Sequence, residues 1–433
     1  MVFAGFLLVT VVGTALLTIP YAKVGPGGAT LDEAFFTAVS AITVTGLIVV
    51  DTPTYWSGFG QAVILVLIQI GGFGVMVLAS VIAIAVARRL SLQARMNAAA
   101  ETKSYGQIDV RAIILNIVRI SLLFEGVAAI ILFFWFWLHY GNSIGDAAWL
   151  GVFHSISAFN NAGFSLFSDN IMSYVGDPVV SLTLCVLIIV GGVGFPVIMQ
   201  LRRHWGTPRK WTMNTRIVIA ATLLLIPVGT VYITAIEWSN PATLGPLDWP
   251  VKILAGIFQS VQTRTAGFNS IDIGATDGAT QFGMIALMFI GGGSAGTAGG
   301  IKVTTFAVLL FIVIAEIRGD GVVNVFGKRL SRAVHRQAIS VVLLAVGVIV
   351  AGTVVIMIET GLPLGPVLFE SVSAFSTVGL STGITADLPV MSQLILCLLM
   401  FIGRLGPITF ASALALRERG ILYQLPKERP LIG

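Results

Sequence analysis

The residues of this chain with the clearest chemistry are four backbone motifs rather than a set of catalytic side chains. TVTGL, NNAGF, RTAGF and STVGL each carry one glycine after small or hydroxyl residues, at Gly46, Gly163, Gly267 and Gly379. Glycine accepts φ > 0 without a Cβ clash, so it can turn neighbouring carbonyls toward an axis. Four such loops around one axis would supply rings of carbonyl oxygens that replace a cation's hydration shell. The competing reading is that each glycine only lets helices pack closely, as small residues do in membranes. That reading suffices for one glycine and not for four in register.

The register comes from the segments around them. EAFFTAVSAITVTGL (33–47), GVFHSISAFNNAGF (151–164), AGIFQSVQTRTAGF (255–268) and VLFESVSAFSTVGL (367–380) align with one another. A second landmark follows each at nearly constant distance, IQIGGFG, IIVGGVG, FIGGGSA and FIGRLGP, with first glycines Gly71, Gly191, Gly291 and Gly403. Self-similarity of this kind marks a repeat architecture. Each repeat also holds two apolar stretches long enough to span hydrocarbon. The outer members are 3–20, 112–138, 217–237 and 338–358, and the inner members 60–87, 178–201, 281–317 and 390–416. The segment between them, such as 33–42, is too short to cross and fits a re-entrant half-helix. The predicted fold is an all-α polytopic membrane protein. It comprises four helix, pore helix and loop, helix repeats in pseudo-fourfold arrangement, with eight transmembrane helices and four re-entrant pore helices. The repeats cover about 1–95, 105–210, 211–325 and 332–425 of a single membrane pore domain, 1–433, with a short cytoplasmic tail at 417–433.

Composition agrees. The chain is 56% hydrophobic and only 10% charged, with a mean hydropathy of +0.95, too little polar surface to cover a soluble globule of this size. The segment 2–20 lacks a basic start and a small-residue cleavage site, so it reads as a retained helix. Cys185 and Cys397 fall inside apolar runs and read as core residues. The four histidines have no metal-ligand spacing and no Ser/His/Asp grouping stands out, so nothing points to an enzyme. Arg88, Arg89, Arg95, Lys103 and Arg111 follow the first inner stretch, and comparable basic clusters follow the other three. Only Lys23, Lys252 and Arg264 fall on the opposite side. The inter-repeat loops and C-terminus are therefore expected in the cytoplasm, with the pore loops entering from outside. The net charge of +5 reflects this bias and needs no nucleic acid. Asp51, Asp169 and Asp272 lie just beyond the first three glycines, either to concentrate cations at the outer mouth or as solvated surface charges.

Two features break the repeat symmetry. GGGSAGTAGG, residues Gly291, Gly292, Gly293, Ser294, Ala295, Gly296, Thr297, Ala298, Gly299 and Gly300, interrupts the third inner stretch. Glycine weakens a helix by up to about 1 kcal/mol per residue relative to alanine, so the helix should break there. A phosphate-binding loop is excluded, because Lys302 stands apart from the last glycine and is followed by Val303. A passive kink and a mobile intramembrane loop are the remaining readings. Arg404 stands where the other repeats have Gly72, Gly192 and Gly292. A central arginine costs roughly 2.5 to 3.5 kcal/mol on insertion scales, so it should face the bundle interior or water. It reads as a barrier to cations in the pore or as half of a buried ion pair, for which Glu125 is a candidate.

With these motifs in hand, the chain resembles the Trk/Ktr/HKT superfamily of potassium transporters, and within it the bacterial KtrB type of membrane subunit. The resemblance covers nearly the whole chain. It is most specific at SAITVTGLIVVDT (40–52), HSISAFNNAGFSLFSDN (154–170), TRTAGFNSID (263–272), MFIGGGSAGTAGGIKVTTF (288–306) and MFIGRLGPITF (400–410). It implies that Val44, Thr45 and Gly46, Asn161, Ala162 and Gly163, Thr265, Ala266 and Gly267, and Thr377, Val378 and Gly379 form a potassium selectivity filter. It further implies that 291–300 and Arg404 form a gate beneath that filter. The implied cargo is K+, with Na+ left open as an activating or coupled ion, and no cofactor is implied in this chain. The implied partners are a second copy of the chain, in a homodimer, and a cytosolic ring of RCK-type nucleotide-binding subunits of KtrA type. The implied location is the bacterial inner membrane, with the lipid bilayer as surroundings.

Overall fold

The computed structural model describes residues 2–88 and 110–406. Arg89, Arg95, Lys103 and the tail 417–433 lie outside the described residues, as does the fourth inner stretch beyond 406. Within them the chain repeats one unit four times. The outer helices are Val2–Thr18, Val110–Leu138, Met213–Glu237 and Arg332–Thr360. The pore helices are Leu31–Ile42, Ile144–Phe159, Trp249–Gln262 and Leu364–Phe375. The inner helices are Gly58–Arg88, Pro178–Val193 continued by Phe195–His204, Gly278–Phe289 continued after a break by Val303–Ile317, and Val390–Leu405. This is the repeat arrangement expected for the all-α membrane fold.

Each pore helix starts at a residue suited to a helix N-terminus. In the first, the Thr30 N–H donates to Glu33 Oε2 (2.9 Å), and in the second the Asp146 N–H donates to Ser143 Oγ (3.1 Å). Asp248 and a following proline open the third, and Pro363 caps the fourth. These short helices form the centre of the molecule: Phe36, Phe153, Phe159, Phe258, Phe369 and Phe375 are among its most buried side chains. The outer helices instead expose large apolar residues such as Leu123, Leu223, Leu343 and Ile358. Apolar surface of that extent is stable only against hydrocarbon. Ile114–Leu138, Met213–Glu237 and Arg332–Thr360 are each long and apolar enough to span a bilayer unaided.

Three of the second-landmark glycines have one structural role. A Cβ on Gly71, Gly191 or Gly403 would lie 2.0, 1.9 or 1.6 Å from the carbonyl oxygen of Ile42, Phe159 or Phe375, respectively. Those carbonyls end the first, second and fourth pore helices, so each inner helix passes directly against its own pore helix. The third repeat differs, because Gly291 faces the carbonyl of Gly299 instead. There the inner helix has opened into a loop that fills the space.

The structure corrects the sequence reading in two places. The second inner stretch is not one straight helix: it bends by 97° at Gly194, which has φ +98°. Glycine allows the left-handed step, and Pro196 at the start of the next helix removes an amide donor there. Arg264 is not on an outer loop. It stands two residues past the third pore helix and is buried, because a re-entrant helix carries its C-terminal end to the middle of the bundle. A small hairpin, Asn324–Val325 with Lys328–Arg329, turns through Phe326 and Gly327, both at positive φ, and tucks Val325 against the end of the third inner helix.

Gly403→Ala should therefore lower the yield of folded, monodisperse protein. Gly347→Ala, on an outer helix where an added Cβ meets nothing within 4 Å, should leave the melting temperature unchanged or raise it slightly. Thermal challenge followed by fluorescence-detected size exclusion distinguishes the two.

Candidate ion pathway

The four sequence-predicted loops come together as a closed ring. A Cβ on Gly46 would lie 2.3 Å from the Ala162 oxygen, on Gly163 2.8 Å from Ala266 oxygen, on Gly267 2.3 Å from Val378 oxygen, and on Gly379 2.0 Å from Thr45 oxygen. Each loop thus abuts the next, and the fourth abuts the first. The same added atoms would lie 2.9 to 3.2 Å from the Cα atoms of neighbouring filter glycines, so they would project into the ring itself.

Each loop takes its shape from two left-handed residues two positions apart. The glycines have φ of +90°, +70°, +80° and +92°, and Val44, Asn161, Thr265 and Thr377 have φ of +57°, +58°, +77° and +49°. A non-glycine residue at positive φ is strained, at a cost on the order of 1 to 3 kcal/mol, and persists where its surroundings over-determine it. Here the pore helices do so. Thr45, Ala162 and Val378 donate their N–H groups to the carbonyls of Ser40, Ser157 and Ser373, each at 2.8 Å. The Gly46 and Gly379 amides donate to the hydroxyls of Ser40 and Ser373 (3.1 Å each). In the third repeat Ala266 donates to Gln262, one residue closer along the chain, so that pore-helix turn is one residue shorter. Asn161 Nδ2, Thr265 Oγ1 and Thr377 Oγ1 are buried in the loops without partners. Buried polar groups are normally satisfied, so all three atoms fit a space that holds water, and the two hydroxyl oxygens could also face a cation.

The loop 291–302 lies directly beneath this ring. Gly293 and Thr297 donate their amides to Gly192 and Gly191 (2.7 and 3.1 Å), and the Phe195 amide donates to Ala295 (3.2 Å). Thr297 Oγ1 lies 3.2 Å from both Phe159 oxygen and Asn161 Oδ1, which share its one proton, and this ties the loop to the NNAGF motif of the second repeat. Gly299 and Gly300 sit under Ser376 and Thr377, and a Cβ on Gly299 would lie 1.9 Å from Thr377 Oγ1. The glycines are therefore needed for close approach as well as to break the helix.

Arg404 is buried and donates to the carbonyl of Thr297 in this loop and, from its other terminal nitrogen, to Gly71 oxygen (3.3 Å). Gly192 and Gly292, which hold the corresponding place in two other repeats, also face this space, each against Ala298. Arg404 has no contact with Glu125. That carboxylate instead accepts from Gln69 Nε2 (3.1 and 3.2 Å) and Asn160 Nδ2 (3.3 Å), joining the first inner helix to the end of the second pore helix. The ion-pair reading of Arg404 is thus replaced by hydrogen bonds to backbone carbonyls.

Spacing alone did not single out Lys302. Its Nζ donates to the carbonyl of Ala298 (2.5 Å), next to the carbonyl that Arg404 holds, so two cations grip adjacent peptides of the loop. The available signal was a lone lysine between long apolar runs. Arg264 makes one long hydrogen bond, to Thr222 Oγ1 (3.4 Å), and lines a cavity of ≈ 20 Å3, space for one water molecule. Of the three aspartates, Asp51 links two loops by accepting from Thr54 (2.6 Å) and from Ser168 of the second repeat (2.7 Å). Asp169 and Asp272 accept from nearby backbone amides, of Ser173 and Gly274, and so stabilise turns.

Four loops closed into a ring, with a fifth loop packed beneath them, could hold a cation by their backbone carbonyls. The chain belongs to the TrkH family, described as cation transport proteins, whose family model matches residues 6–419. It is accordingly a multi-pass membrane transport protein and not an enzyme. It is similar to the Ktr system potassium uptake protein B of Bacillus subtilis, 40% identical over 96% of this chain and 92% of that protein. It is also similar to the Ktr system potassium uptake protein B of Vibrio alginolyticus, 38% identical over 100% of this chain and 94% of that protein. Among solved structures it shares the fold of the potassium transporter TrkH from Vibrio parahaemolyticus, with a TM-score of 0.72 at 20% identity, over 95% of this chain and 84% of the other.

The Glu125 network gives a direct test. Glu125→Gln keeps an acceptor for Gln69 and Asn160 and should melt near the parent protein. Glu125→Leu leaves the Gln69 amide without its acceptor, while Asn160 Nδ2 keeps Gln69 Oε1 and the Ile156 oxygen (2.9 Å each), and should cost about 1 to 3 kcal/mol, read as a lower melting temperature.

Proposed function

We propose that this chain takes up potassium through one central pore. In this reading the filter is built from Val44 to Gly46, Asn161 to Gly163, Thr265 to Gly267 and Thr377 to Gly379. The observation that carries the proposal is the closed ring of four glycines, each abutting the carbonyl before the next. The names of the similar proteins supply the ion: two are potassium uptake proteins of Ktr systems, and a further relative, 29% identical, is a potassium/sodium uptake protein from Enterococcus hirae. Na+ is accordingly a candidate activating or coupled ion.

In this reading carbonyl oxygens take over the ion's hydration, and the free hydroxyls of Thr265 and Thr377 add ligands. The loop 291–300 is the gate. It occupies the path beneath the filter, and Arg404 both holds it and places a positive charge that opposes cation passage. Opening requires Thr297 to leave Arg404 and Asn161. The four repeats form one domain. A cytosolic ring of RCK-type nucleotide-binding subunits controls the gate from a cytoplasmic face made by the inter-repeat loops, and the chain works as a homodimer in the bacterial inner membrane.

Potassium uptake by cells lacking their own uptake systems, with and without a cytosolic partner, tests this function. Gly267→Ser should raise the KM for potassium by about tenfold or more, or reduce discrimination against sodium equally, at normal membrane abundance. Unchanged affinity and selectivity would remove the filter assignment. Arg404→Ala, or deletion within 292–299, should increase flux or loosen dependence on the partner. The gate assignment fails if both variants keep parental flux and regulation.

A further inference from the structure

The residue three positions before the filter-pinning residue of each pore helix is polar and buried in all four repeats, yet of a different type in each. Counting back from Ser40, Ser157, Gln262 and Ser373, it is Thr37, His154, Gln259 and Glu370. Three of them reach the strand that leaves the filter glycine of their own repeat. His154 Nδ1 faces the carbonyl of Leu150 (2.8 Å), which leaves Nε2 to accept from the Leu166 amide (3.3 Å), with Ser165 Oγ at 3.2 Å. Gln259 Nε2 donates to Ser270 Oγ (3.3 Å). Glu370 accepts from Ser381 Oγ (2.7 Å), from the amide and hydroxyl of Thr382 (2.8 and 3.1 Å), and from Thr385 Oγ1 (2.8 Å). In the first repeat the strand is tied sideways instead, through Asp51 and Ser168.

An apolar side chain would fill each of these positions without the desolvation penalty of a buried imidazole, amide or carboxylate. What the polar group adds is direction, because each bond fixes the strand on one side of a filter glycine. The pore helix already fixes the other side through the residue three positions further on. In these three repeats the loop is then clamped at both ends by one helix. The ψ of the glycine, and with it the aim of its carbonyl, has little freedom left.

We propose that His154, Gln259 and Glu370 are positioning residues for ion selectivity, each holding the exit strand of one filter loop so that its carbonyls keep their aim. The proposal rests on the reading of the four loops as the filter. It assigns selectivity to side chains that touch no ion.

The test uses the full chain with its cytosolic partner in cells lacking other potassium uptake, measuring KM, maximal rate, sodium competition and membrane abundance. Helix-side variants are Gln259→Leu and Glu370→Leu. Loop-side variants, Ser270→Ala and Ser381→Ala combined with Thr382→Val and Thr385→Val, remove every hydroxyl bonded to Gln259 or Glu370 and leave only the Thr382 amide on Glu370, with little change of volume, and they decide the matter where a helix-side variant does not reach the membrane. We expect the KM for potassium to rise, or discrimination against sodium to fall, by about fivefold to tenfold. Maximal rate and abundance should stay within about twofold of the parent, an effect size too small for a lost bond to register as misfolding. Glu370→Gln, which keeps one acceptor oxygen, should recover most of the parental selectivity. Parental KM and discrimination in the loop-side variants, with a shift in Gly267→Ser, would overturn the proposal and leave the filter standing. No shift in any of them, Gly267→Ser included, would remove the filter reading and the proposal together.

Discussion

The structure depends on backbone lying against backbone at Gly46, Gly163, Gly267 and Gly379. Added Cβ atoms would come within 2.0 to 2.8 Å of the neighbouring loop's carbonyl oxygen, a separation no side chain survives. This contact makes a ring out of four loops, since each is closed by the one after it. It also requires a strained residue two positions before every glycine, at positive φ. Strain of that kind is stable only inside a framework that costs more to deform than the loop gains by relaxing. The buried pore helices, with their serine and glutamine pins, provide that framework. The inner helices hold three of the pore helices from below through glycine contacts against Ile42, Phe159 and Phe375.

One chain with four unlike repeats can do what four identical subunits cannot. A single loop, in the third repeat, fills the space under the ring, and a single arginine, in the fourth, holds it. Four copies of that arginine at one level would place four buried charges of one sign within a narrow space, which low-dielectric surroundings make prohibitive. Breaking the symmetry once places this loop and the arginine that holds it beneath a ring that keeps its pseudo-fourfold form. The shortened turn of the third pore helix is a similar local departure. It shifts the pinning residue from serine to glutamine, whose longer side chain covers the missing step: Gln262 Oε1 accepts from the Phe268 amide at 3.3 Å.

Legibility in the sequence followed the nature of each contact. Where backbones touch, only glycine fits, so the residue type itself is the signal and both sets of landmarks could be read. Arg404 was legible because a charge in an apolar run has few tolerable locations. The bend at Gly194 was not, since a glycine followed by Phe-Pro is also compatible with a continuous membrane helix whose freed groups find other partners. Arg264 was misplaced because its depth depends on how far a re-entrant helix descends. The ring of Thr37, His154, Gln259 and Glu370 was hidden for a different reason. Its members share a position and a partner but no chemistry, and the missing residue in the third repeat moves Gln259 out of alignment with the rest.

The identity of the latch partners bears on how the obstruction can move. A guanidinium facing a carboxylate such as Glu125 in low dielectric would form a pair that is strongly destabilising to break, because separation leaves two uncompensated buried charges. Arg404 and Lys302 instead hold the carbonyls of Thr297 and Ala298. Those neutral acceptors can be exchanged for water oxygens at a net cost nearer to that of an ordinary charged hydrogen bond, about 1.5 to 3 kcal/mol each. Differences of that size lie within reach of the differential binding energy of the cytosolic partner proposed above. Glu125, meanwhile, is occupied by Gln69 and Asn160 and so stays with the fixed framework. Stiffness is concentrated in the ring and its pore helices, and the groups that the proposed gate would release are the ones bonded to neutral oxygens.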